Sequence, residues 1–264
     1  MRRLSGPLSL SLSLSLSLLL TLLTVTLAPP AGAEPSSGAP ATGVRAPATA
    51  VLEMRVIGHS VQGRPIRAWH LGDPTSPVKA VFIAAMHGNE AQPSRILRNL
   101  RDGRPIHGAD IWVVPAMNPD GVQRHTRRNA HGVDLNRNFP VSWIPQGGSY
   151  YSGPEPASEP ETRAMMAFLA EIRPSYVVSF HQPLFGVDNS YTKTRALARR
   201  LARNLHLPRK RFTCNNGCHG TMTQWFNRTL PGAAITVEYG HHMTWRQKNV
   251  TGPRGLLRTI HATR

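Results

Sequence analysis

Ala84-Ala85-Met86-His87-Gly88-Asn89-Glu90 closes an apolar, strand-like run over residues 78–85 and leads into a helical pattern from Pro93. An imidazole and a carboxylate three residues apart at a strand end can take adjacent corners of one tetrahedral metal ion, with Gly88 relieving the turn between them. Taken alone, His-x-x-Glu also fits an ordinary surface loop. Three later pieces give the pair meaning: Asp134-Leu135-Asn136-Arg137-Asn138-Phe139, Ser179-Phe180-His181 and Thr236-Val237-Glu238. The chain reads as built to bring these four pieces together.

Working outward, apolar runs at 80–85, 111–115, 176–180 and 233–238 predict buried strands. Alternating segments at 52–57 and 65–71 flank Gly58-His59-Ser60-Val61-Gln62-Gly63-Arg64 and predict a hairpin. Helical patterns cover 93–101, 158–172, 192–205, 221–227 and 255–261. The third strand is followed at once by His181 and the fourth ends on Glu238. Asn118-Pro119-Asp120-Gly121 predicts a turn, and Ser158-Glu159-Pro160-Glu161 a capping box with Ser158 as N-cap. Residues 123–154 have no period and many Gly, Asn, Pro and Arg; a long irregular segment carrying polar residues reads as functional. Strands alternating with helices define an α/β domain whose chemistry gathers at the carboxyl edge of the sheet.

Composition bounds the rest. The 264 residues open with Arg2-Arg3, an uncharged Ser/Leu-rich run and Ala31-Gly32-Ala33, which together predict a cleaved signal peptide over 1–33. The alternative is an uncleaved membrane anchor, since about twenty apolar residues span a bilayer. Residues 34–50 form a Pro/Ala/Gly/Ser-rich tether too poor in large apolar groups to pack. Residues 51–264 are then one domain of roughly 210 residues with a substantial core. The net charge of +17 becomes +15 once Arg2 and Arg3 leave with the leader. It suits a secreted or cell-wall-associated protein facing an anionic wall polymer; a solvated basic surface without a partner is the other reading. No aromatic-basic platform for bases is present, so nucleic acid is not expected as a partner. Cys214 and Cys218, four apart, read as a disulfide fixing a loop; a metal corner would need further soft ligands, and no other thiols exist.

The pieces His87-Gly-Asn-Glu90, Asn118-Pro-Asp-Gly121, the run from Arg127 to Pro140, His181 and Glu238 together resemble the zinc metallocarboxypeptidases, over most of the domain. The resemblance implies a mixed eight-stranded sheet with helices on both faces and one Zn²⁺ per chain held by His87, Glu90 and His181. It further implies Asp134 orienting His87, Glu238 as general base, Arg127 stabilising the oxyanion, and Asn136 with Arg137 clamping a substrate carboxylate. Without it, His181 could be a core histidine, Asp134 a turn residue and Glu238 the partner of a nearby arginine.

Vertebrate-type members carry a mobile tyrosine some twenty residues before the catalytic glutamate. This chain has no tyrosine between Tyr191 and Tyr239, and carries the Cys loop instead. Gly63-Arg64-Pro65-Ile66, Ser152-Gly153-Pro154, Ser158-Glu159-Pro160-Glu161 and Phe180-His181-Gln182-Pro183 are similar to the compact bacterial murein peptide amidases. That likeness implies hydrolysis of an amide bond beside a free carboxylate in a peptidoglycan stem peptide. Trimming of protein or peptide C-termini is the alternative activity, and a cell-wall-binding module without chemistry the alternative class.

Overall fold

The computed structural model describes residues 49–190, 192–213 and 218–264. The expected leader, nearly all of the tether and Cys214 lie outside that range. Among the described residues no helix is long and apolar enough to cross a membrane.

In chain order the domain runs β1 (Val51–His59), β2 (Pro65–Gly72), β3 (Lys79–Ile83), α1 (Ser94–Asp102), β4 (Asp110–Val114), α2 (Pro119–Arg124), α3 (Pro160–Ile172) and β5 (Tyr176–His181). Then come β6 (Gly186–Asp188), α4 (Arg195–Leu205), β7 (Arg209–Lys210), α5 (Met222–Thr229), β8 (Ala233–Glu238) and α6 (Gly252–Thr259). The sheet order is β1-β2-β4-β3-β5-β8-β6-β7. β4, β3, β5 and β8 run parallel in the centre; β2 pairs antiparallel with β4, β1 antiparallel with β2, and β6 antiparallel with β8. This is the mixed eight-stranded sheet expected.

The central strands are mostly apolar because helices cover both faces. Side chains alternate across a strand, so Ala80 and Phe82 join a core with Leu97 of α1, Leu201 of α4 and Leu256 of α6. Val81 and Ile83 point the other way, to Met165 and Leu169 of α3 and Phe226 of α5. Each such large side chain contributes about 1.5–3 kcal/mol on burial. β1 is inverted: Glu53 and Arg55 are partly covered, whereas Leu52, Met54 and Val56 are exposed.

Three local readings are corrected. Asn118-Pro-Asp-Gly121 starts a helix: Asn118 Oδ1 accepts from the Gly121 N–H at 2.8 Å and Pro119 takes the first helical position. Ser158 is not an N-cap. Glu159 holds that place without a side-chain cap, and the Glu161 carboxylate instead accepts from Val61 N–H and Asn129 Nδ2, both at 3.1 Å. Pro160 at the helix start removes one N–H that would otherwise need a partner. Finally, Gly88 does not have the left-handed backbone; Ala85 does, at φ +52°. Gly88 is needed for space, because a Cβ there would lie 1.8 Å from the carbonyl carbon of Gly121. The His-Gly-Asn-Glu and Asn-Pro-Asp-Gly pieces therefore pack backbone against backbone.

Candidate active site

Three strand ends deliver the chemistry. After β3 the chain passes through left-handed Ala85 to His87 and a 3₁₀ turn, Gly88–Glu90. β5 and β8 pair in parallel with His181 opposite Glu238, so both side chains reach the same sheet edge on the same face. The irregular segment supplies Arg127, Asp134, Asn136 and Arg137, and is pinned beneath by Asn129, whose Nδ2 also donates to Glu159 at 2.6 Å.

His87 Nδ1 lies 2.9 Å from Glu90 Oε1, His181 Nδ1 lies 3.0 Å from Glu90 Oε2, and the two Nδ1 atoms are 3.3 Å apart. All three residues are buried. The outer ring nitrogens are engaged: His87 Nε2 by Asp134 Oδ1 and His181 Nε2 by Ser179 Oγ, each at 2.9 Å. Both inner nitrogens thus face one point. Zinc–nitrogen bonds of about 2.0–2.1 Å at tetrahedral angles put neighbouring ligand atoms about 3.3 Å apart, close to what these residues show. Two imidazoles and one carboxylate, each oriented from behind, fit that ion.

Electrostatics agree with a cation site. Burial pushes Glu90 up, but the two histidines outweigh it and hold its carboxyl well below the usual range. Burial likewise opposes the charged form of Asp134, and His87 with Arg127 reverses the balance. For His87, burial favours the neutral ring, yet Asp134 and Glu90 lift the pKa to about 9. Glu238 differs: burial dominates and raises its pKa. It accepts a 3.3 Å bond from the Leu184 N–H and, among the described residues, pairs with no Arg or Lys.

His87, Glu90, His181 and Glu238 line one cleft of about 650 Å³ with Arg127, Asn136, Arg137 and Tyr150, a volume suited to a small ligand. Arg127 Nη2 donates to Asp134 Oδ2 at 2.8 Å and Nη1 to Glu90 Oε1 at 3.2 Å. Asn136 Oδ1 accepts from the Met222 N–H at 3.1 Å, turning its amine outward. Arg137 is mostly buried and its pKa is lowered by that burial. Cys218 lines the cleft and is disulfide-bonded; Cys214, expected as its partner, is outside the described residues.

Sequence reasoning missed three members of this site. Ser179, which orients His181, sits two residues before it on the same strand face, a spacing that could have pointed to it. Gln182 N–H donates to Glu90 Oε2 at 3.2 Å. Tyr150 lies between two guanidinium groups, 5.3 Å from Arg127 and 5.2 Å from Arg137, and nothing in its local sequence marks it.

Fold and site define a metallopeptidase. A family model described as zinc carboxypeptidase matches residues 44–196, and the chain belongs to that family. It is 35% identical over 150 residues to murein peptide amidase A of Escherichia coli K12, spanning 50% of this chain and 60% of that protein. With the same-named protein of Vibrio campbellii it shares 32% over 196 residues, 69% and 77% of the two lengths. Among solved structures, the murein-tripeptide amidase MpaA of E. coli O157 superposes with a TM-score of 0.63 at 27% identity, over 78% of this chain and 92% of that one.

Proposed function

We propose that this chain is an exported zinc-dependent hydrolase that cuts an amide bond beside a free carboxylate in peptidoglycan stem peptides. The observation carrying this is the meeting of His87, Glu90 and His181, whose ligand atoms lie within 4.8 Å of one another, in one cleft with Glu238, Arg127 and Arg137. The murein substrate is suggested by the relatives. Export is suggested by residues 1–33.

His87, Glu90 and His181 would hold the zinc, which when bound polarises a water and the substrate carbonyl. Every other task falls to side chains. Arg137 and the outward amine of Asn136 receive the substrate carboxylate, a pairing for which a guanidinium has the matching fork. Glu238, buried and unpaired with any Arg or Lys among the described residues, accepts the proton of the attacking water. As the carbon–nitrogen bond breaks, it returns that proton to the departing amine. Arg127 stands where negative charge grows on the carbonyl oxygen.

The test is to incubate the zinc-loaded protein with a murein tripeptide and with N-blocked dipeptides, and to identify products by mass spectrometry. Release of free diaminopimelate from the tripeptide alone is expected. Cleavage of the dipeptides alone makes the chain a C-terminal trimming carboxypeptidase. No cleavage of either leaves a wall-binding module. Amino-terminal sequencing of protein recovered outside the cell tests the leader.

A further inference from the structure

Far from this cleft lies a second, unbalanced concentration of charge. Two cavities flank α6, one of about 510 Å³ beside the end of α1 and one of about 180 Å³ beside the end of α4. Arg254 and Arg258 line both. The larger adds Arg104 and Arg264, the smaller Arg246 and His206. No Asp or Glu side chain lines either, and neither shares a residue with the active-site cleft. α1 leads away from the turn that carries His87 and Glu90, so Asn99 and Arg104 sit toward the opposite edge of the sheet.

The arrangement costs the fold something. Arg254 and Arg258 are like charges one helical turn apart, a repulsive spacing. Among the described residues, the side chains of Arg104, Arg246, Arg254 and Arg258 make no hydrogen bond or ion pair. Arg264 donates from Nη1 to the Asn99 carbonyl at 3.2 Å, while its Nε is buried without a partner. Burial and the nearby Arg104 both lower the pKa of Arg264. An anion among the exposed guanidinium groups would offset their mutual repulsion and offer the hydrogen bonds they lack among the described residues.

We propose that the two cavities along α6 form one binding groove for a polyol-phosphate polymer, holding successive phosphates on either side of Arg254 and Arg258. Guanidinium forks match phosphate oxygens two at a time. Two compartments sharing arginines suit a repeating anion better than a single one. Neither lining holds a Phe, Tyr or Trp ring, the broad platforms on which bases stack, which sets this groove apart from one for single-stranded nucleic acid. Pro253, Leu257 and Ala262 offer an apolar wall to the neutral stretches between phosphates. The inference stands apart from the hydrolytic reading, since no residue is common to both sites.

The experiment titrates the full chain with a short poly(glycerol phosphate), following backbone amide resonances of the wild type and affinities by calorimetry. Shifts should cluster on 99–104, 246–258 and 262–264. The triple variant Arg104→Ala/Arg254→Ala/Arg258→Ala should lose about tenfold or more in affinity, with a salt slope shallower by about two. Its hydrolysis of a small peptide should stay unchanged. A control triple of arginines that line neither cavity, Arg67→Ala/Arg124→Ala/Arg173→Ala, should bind as the wild type does. Equal losses in both triples, shifts located elsewhere in the wild type, or equal binding of polyglutamate or single-stranded DNA would each overturn the proposal. The wild-type shift map decides the matter even if a triple variant fails to fold.

Discussion

Glu238 is buried, pairs with no Arg or Lys among the described residues, and has a raised pKa. If it is the base, it must be ionised in the free enzyme, so kcat/KM should rise with pH. The acid limb should lie above the ordinary glutamate value of about 4.3. Glu238→Gln should lower turnover by about 10²–10⁴-fold while zinc content, measured by atomic absorption, stays at one per chain. Unaltered hydrolysis by that variant would refute the mechanism, whatever the substrate. Asp134→Asn keeps the shape but gives up the carboxylate behind His87, and should weaken zinc binding about 10–100-fold in a chelator competition. The four principal site residues were legible because each lies at the end of an apolar strand or in its first turn. Ser179 and Tyr150 were not, because their roles are defined by spatial neighbours: Ser179 by a ring nitrogen of His181, Tyr150 by two arginines well before it in sequence.

Among elements, the contact between the Gly88 turn and α2 fixes where the metal-site residues stand relative to β4. Gly121→Ala would drive a methyl into Asn118, with a Cβ 2.4 Å from its Nδ2. It should destabilise the fold by about 1–3 kcal/mol, read as a lowered urea midpoint, and should loosen zinc retention as well. The four central strands, the hairpin and the longer helices could be read from period and composition, since each buries a whole face. β6 and β7, of three and two residues, are too short for a period to show. α2 went unread because Asn-Pro-Asp-Gly suits a reverse turn and a capped helix start equally well. The fully buried Asp120 decides between them by accepting from Ser60 Oγ at 2.9 Å and Gln62 N–H at 3.0 Å, tying α2 to the hairpin loop.

For the whole molecule, the pKa shifts set how the metal-free protein responds to pH. The lowered carboxyls of Glu90 and Asp134 stabilise the fold above their unfolded values near 4, and that stability is lost as pH falls through their folded values. His87 acts oppositely: its contribution is complete below about 6.5 and fades as pH climbs through about 9. Glu161 and Glu238, both raised by burial, lose their contribution as pH climbs from the ordinary glutamate value through their raised folded ones, well before His87 does. Metal-free protein should therefore melt highest in the mildly acidic range and several degrees lower by pH 9–10. Saturating zinc should move the optimum to higher pH, because His87 must shed its proton to bind the metal. Calorimetric melts of both forms across pH measure this directly.

The inverted outer strand has a consequence of a different kind. Among the described residues no strand pairs with the outer edge of β1, which turns Leu52, Met54 and Val56 to water, so two copies meeting rim to rim could zip into a continuous ribbon. Concentrated preparations should scatter light increasingly with time, and a single lysine at position 54 should keep them clear.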